Sequence, residues 1–168
     1  EKQAEIHSRR DCGITGETDQ LLPFRGETLT IAAASVPQVE RQGALLLVPE
    51  GAGPEEIAGW LRKQAAEALP ALLERRAKEL GVSYTGFHLS EARRSWGSCT
   101  AKGAIRLSWR LLMCPPELAD YVAVHELCHL RHMDHSPAFW AAVEAACPDC
   151  LTCRQQLRKD YGWLMELF

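Results

Sequence analysis

The segment VAVHELCHLRHMDHSPAFW, residues 122–140, carries four of the chain's six histidines: His125, His129, His132 and His135. Pro115 and Pro116 precede Glu117 and an apolar run, which predicts a helix starting there and running to about His132. On that helix His125 and His129 stand four residues apart on one face, with Cβ atoms about 5–6 Å from each other. Two imidazoles at that separation can close on one small cation at about 2.0–2.1 Å each. Glu126 lies a step round the helix, where it can reach a water at the cation without being a ligand itself. A chance H-E-x-x-H in a chain of this length and composition is roughly a 2% event, taking positions as independent. The chain therefore has to bury a helix and still leave part of one face open.

A third ligand is expected from beyond the helix. His135 directly precedes Ser136-Pro137, a natural N-cap and first residue of a following helix, so it falls in the corner between two helices. His132, near the same helical face, and a carboxylate such as Glu144 are the alternatives; His132 also reads simply as a helix-end histidine favoured by the C-terminal dipole. The spacing 125, 129, 135 resembles that of metzincin zinc sites. Those sites place a Gly three residues after the second histidine, where this chain has His132, which suggests a helix that runs somewhat further before turning. Three neutral imidazoles leave Zn²⁺ an open position for water, the catalytic pattern, with Glu126 as general base. Arg110, Trp96 and Tyr121 are candidates by residue type for a donor to the developing oxyanion. Asp134 could orient a ligand imidazole or simply serve a turn.

The totals exclude several function classes. With a net charge of -3 over 168 residues there is no global attraction to nucleic acid or to an anionic membrane. No apolar run is long enough to span a bilayer. The first twenty residues lack the apolar centre of an export signal and read as a flexible leader, leaving 21–168 as a single domain. Seven cysteines without such a signal read as reduced thiols in a cytoplasm. Cys147, Cys150 and Cys153 have the C-x-x-C-x-x-C spacing of a second metal site, but thiols lining a helix junction are the simpler reading. Cys99 reads as a packed thiol rather than a nucleophile.

Along the chain, GETLTIAAA and GALLLVPEG read as two paired strands. Pro54 to Leu80 reads as a long amphipathic helix ended by Gly81, its apolar stripe being Ile57, Leu61, Ala65, Leu69, Leu72 and Leu80. Pro70 should kink or split it. Short strands are expected around 84–89, 94–99 and 104–109, the last two joined by a TAKG turn. Helices follow from Ser136 and from Cys150, with a break at Gly162. This order of elements predicts an α+β fold: a small, mostly antiparallel sheet, a long helix and a helix carrying H-E-x-x-H.

The segments Trp96–Cys99, Leu107–Leu111, Pro115–Pro116, His125–Leu130 and His135–Trp140 together resemble the YgjP-like metallopeptidase domain family, related to SprT-like zinc proteases. The resemblance covers about residues 20–165, with Ser108 and Asp134 standing where the family usually has Asn. It implies a zincin-like fold, one catalytic Zn²⁺ on His125, His129 and His135, Glu126 as the catalytic carboxylate, and a peptide or protein substrate. Some relatives are instead assigned as nucleotide (UTP) pyrophosphatases; the chain offers no phosphate-cradling Gly loop for that chemistry. A non-catalytic, metal-stabilised adaptor that docks partner proteins is the remaining alternative.

Overall fold

Arg25 and Gly26 both take positive φ, 50° and 81°, as a two-residue type I′ turn requires, and they fold Leu21–Phe24 (β1) back on Glu27–Ala34 (β2). The computed structural model describes Thr15 and residues 17–168. Most of the leader expected over 1–20 lies outside the described residues. Its described end is tied down: the Asp19 N–H donates to the Ile31 carbonyl and the Ile31 N–H donates to the Gln20 carbonyl, both at 2.8 Å.

The two apolar segments expected to pair do so, but in parallel, β2 against Leu45–Pro49 (β4). Glu40–Gln42 (β3) returns antiparallel on β4, giving the order β1-β2-β4-β3. Leu22, Phe24, Leu29, Ile31, Leu46 and Val48 point inward at every second position and are buried. This face packs on the long helix α1, Pro54–Leu80.

The start of α1 is fixed by a Glu56 carboxylate that accepts the Gly53 N–H at 2.9 Å, and its end by Gly81 in the left-handed region, φ 62°. The helix is not split at Pro70; it continues through as one 27-residue element. Its buried stripe runs Ile57, Leu61, Ala65, Leu69, Leu73, Ala77, on both sides of the proline. Packing along that stripe outweighs the roughly 3 kcal/mol that a mid-helix proline costs. The stripe keeps to a step of four after Pro70, so Leu73 and Ala77 are buried where Leu72 and Leu80 were expected.

The expected single sheet is two. Gly86–Ser90 (β5), Gly97–Cys99 (β6) and Ala104–Ser108 (β7) form a separate sheet in the order β5-β7-β6, with β5 parallel and β6 antiparallel to β7. The TAKG turn joins β6 to β7 as expected, with Gly103 at φ 81°. A short 3-10 helix, Trp109–Met113, leads into α2, Pro116–Cys128. This helix is enclosed on nearly every side, burying Leu118, Val122, Ala123, Val124 and Leu127. Arg76 of α1 grips the Asp120 carboxylate of α2 with two guanidinium nitrogens, Nε at 2.8 Å from Oδ1, which fixes α2 against α1. Pro137–Ala146 (α3), Cys150–Lys159 (α4) and a final 3-10 turn, Gly162–Glu166, complete the chain. The class is α+β, and both sheets and the helices share one hydrophobic cluster. Among the described residues, no helix is long and apolar enough to cross a membrane.

Candidate metal centre

The helix α2 stops at Cys128, earlier than its sequence suggests, and His129 is its C-cap. Three tight turns replace further helix: the Leu130, Arg131 and His132 N–H groups donate back to the carbonyls of Leu127, Cys128 and Cys128 at 3.0–3.1 Å. No residue from 129 to 135 has positive φ, so the chain turns here without the glycine that metzincin spacing suggested. His132 can occupy that place at no steric cost.

The turn brings His135 back over α2. His125, His129 and His135 each offer one ring nitrogen, and these atoms all lie within 4.8 Å of one another. The Nε2 atoms of His125 and His135 are 3.3 Å apart. Two nitrogens each about 2.0–2.1 Å from a tetrahedral ion stand about 3.3 Å from each other, so the spacing suits a shared cation. His129 Nδ1 is 3.0 Å from the His132 carbonyl oxygen, which fixes the ring and leaves Nε2 as its outward nitrogen. His125 Nδ1 is buried with no hydrogen-bond partner, so that ring too has only Nε2 to offer. The His132 side chain and Glu144 stand outside the group. Asp134 serves the turn, its Oδ1 accepting the Ser136 N–H at 3.3 Å.

Two aromatic side chains from α3 build the floor. Ser136 caps α3 through its Oγ, which accepts the Phe139 N–H at 3.3 Å, and this sets the direction of the first turn. Phe139 is fully buried and stacks on the His129 ring at 4.4 Å, while meeting His125 and His135 edge-on at 4.9 and 5.0 Å. Trp140 stacks on His135 at 5.9 Å. The packing desolvates the two imidazoles of α2, while His135 stands exposed at the mouth. Burial first, then the neighbouring histidines, pushes the pKa of His125 down to about 4, and burial also lowers that of His129. Neutral imidazoles are the form a cation needs.

Glu126 is 6% exposed, and burial raises its carboxyl to about 7. It lies against Gly97 of β6, where an added Cβ would come within 2.8 Å of its Cγ and Oε1. A cleft of about 520 Å³ opens beside it, lined also by His125, Tyr121 and Trp96. Arg110, by contrast, is a core residue: it is 2% exposed, and its Nε and Nη2 donate to the Leu167 carbonyl at 3.3 and 3.2 Å. Cys147, Cys150 and Cys153 are free thiols at the α3–α4 junction, and among the described residues they form no metal-holding group.

Gly97, Phe139 and Trp140 entered the sequence reading only within the segments that carry the family resemblance, with no role of their own, and the His132 carbonyl did not enter it. The glycine was the readable one, since Gly inside a strand often marks close approach by another group.

A search of curated proteins finds no match. Among solved structures the chain is similar to the metallopeptidase zymogen of Pyrococcus abyssi abylysin, with 26% identity, a TM-score of 0.48, and coverage of 54% of this chain and 94% of that one. It is also similar to the metallopeptidase zymogen of Methanocaldococcus jannaschii jannalysin, with 18% identity, a TM-score of 0.45, and coverage of 54% and 98%. The family model of the YgjP-like metallopeptidase domain matches residues 18–160. A match over that much of the chain favours neither a nucleotide pyrophosphatase nor an adaptor, and the chain belongs to the YgjP-like metallopeptidase domain family.

Proposed function

We propose that this metallopeptidase domain carries a single catalytic Zn²⁺ on His125, His129 and His135, and hydrolyses peptide bonds with Glu126 as general base. The observation that carries the reading is the 3.3 Å approach of the His125 and His135 Nε2 atoms, with His129 Nδ1 already committed to the His132 carbonyl. Three imidazoles with no thiolate or carboxylate favour zinc over the hard oxygen-loving cations. When bound, zinc supplies Lewis acidity toward a peptide carbonyl and toward water.

The chain's own residues do the rest. Glu126, desolvated in the cleft, takes a proton from water there and returns it to the departing amine. The missing side chain at Gly97 leaves the space in which the Glu126 carboxyl stands against β6. Among the described residues β6 is an edge strand, bonded on one side to β7, and an extended peptide can add along its other side next to Glu126. The Tyr121 hydroxyl, its pKa raised to about 12 mainly by burial, stays protonated and able to donate in this cleft.

The test is Glu126→Gln in the zinc-loaded chain. The variant should bind about one zinc per chain and lose peptide cleavage. Unchanged cleavage by the variant, or a chain that takes up no zinc, would overturn the proposal.

A further inference from the structure

The cleft beside Glu126 has a far rim of unusual charge. It is lined by Arg93 and Arg94 from the segment before β6, and by Arg154 and Arg158 from α4. Its acidic groups are Glu126 itself and the exposed Glu166. Away from this rim, Arg41, Arg62, Arg75 and Arg76 sit on carboxylates, while Arg110 and Arg131 donate to backbone carbonyls. Among the described residues no carboxylate pairs with Arg94, Arg154 or Arg158, and Arg93 donates to the Phe168 carbonyl.

This arrangement gathers like charge along the rim, which an anionic group would neutralise. Arg154 and Arg158 are four apart on one face of α4, where like charges repel. The net charge of the chain is -3, so the positive charge gathered here is a local concentration and not a global one. Arg154 is also positioned, not loose: its guanidinium lies 5.0 Å over the Trp140 ring, the same ring that stacks on His135. That contact holds one cation at the border between the histidine cluster and the rim.

We propose, on the footing of the peptidase reading, that Arg94, Arg154 and Arg158 form a subsite for a carboxylate of the substrate peptide. Guanidinium groups suit this role because each can hold a carboxylate through two parallel N–H donors. The preferred substrates are then acidic peptides, bound with a Glu or Asp side chain, or the peptide's own C-terminal carboxylate, on the rim while the scissile bond lies by Glu126.

The experiment measures binding and cleavage separately. Fluorescently labelled peptides are titrated by anisotropy into the zinc-loaded Glu126→Gln chain at low salt. One peptide carries Glu and an amidated C-terminus; a second carries Gln with a free C-terminus; a third carries Gln and is amidated. At least one carboxylate peptide should bind about tenfold or more tighter than the third, and which one does so identifies the source of the carboxylate. Adding the Arg154→Glu and Arg158→Glu changes should abolish that preference and favour a Lys peptide. The milder Arg154→Gln and Arg158→Gln pair should abolish it without reversal, which guards against a misfolded reversal variant. Equal binding of all three peptides, or a preference that survives both pairs, would overturn the subsite. If the carboxylate preference is found but the chain with Glu126 intact cleaves no peptide, the peptidase reading falls and the subsite stands. Cleavage of Glu and Gln peptides of either terminus at equal kcat/KM would keep the peptidase and remove the subsite.

Discussion

Gly97 and Glu126 are in contact across the interface of β6 and α2, and a methyl group on Gly97 would sit 2.8 Å from Glu126 Cγ. The shortest side chain in the W-G-S-C segment thus defines where the carboxylate stands. Gly97→Ala should push Glu126 away from the cleft. We expect about 10–100-fold lower kcat with zinc content unchanged. Steady-state kinetics together with metal analysis check this, and a variant with full activity would show that the contact is only incidental.

Phe139 links the fold to the site by stacking on His129 at 4.4 Å while filling the core under α3. Phe139→Ala should cost about 3–5 kcal/mol in unfolding free energy and also weaken zinc binding. Phe139→Leu should restore most of the stability but not the ring contact, so zinc affinity should recover less than Tm. Denaturant unfolding and a competitive zinc titration separate the two effects.

His132 and His135 contribute by different atoms. His135 offers its ring, whereas His132 offers its backbone carbonyl to His129 Nδ1. His135→Ala should reduce zinc affinity by about 100-fold or more, and His132→Ala should leave it within about threefold. The reverse order, measured by the same titration, would return the third-ligand role to His132.

Glu91 ties the second sheet to α1 and to the 3-10 helix, accepting from Arg62 Nε and from Trp109 Nε1 at 2.8 Å each. Burial alone would raise its pKa. The hydrogen bonds from Trp109 and Arg62 and the arginine charges together win, so the carboxyl titrates below its ordinary value. A depressed pKa stabilises the fold above the ordinary carboxylate value of about 4.3 and loses that contribution as pH falls through the lower folded value. Glu91→Gln should therefore lower stability by about 1 kcal/mol at pH 7, the side chain being 60% exposed, and the gap to the parent should close below about pH 4. Urea midpoints at pH 7, 5 and 3.5 test this.

Some of this was legible before any coordinates. The proline pair and Ser136-Pro137 marked where α2 and α3 begin, because capping chemistry is local to a few residues. The H-E-x-x-H spacing put His125 and His129 on one face, and the position of His135 just before a cap placed it in a corner. The early stop of α2 was not readable: it depends on turn hydrogen bonds from residues 130–132, not on a glycine or proline. The separation into two sheets and the parallel β2–β4 and β5–β7 pairs were also hidden, since alternation of apolar residues reports burial but not the neighbour's direction. Pro70 misled because local propensity there is overruled by the buried stripe on either side.

Crystals of the zinc-loaded chain, with data collected on both sides of the zinc absorption edge, test the central claim most directly. An anomalous peak should appear among the Nε2 atoms of His125, His129 and His135, with no fourth protein ligand on the side facing Glu126. The account is contradicted if no peak forms there with zinc in excess, or if a fourth side chain closes the position.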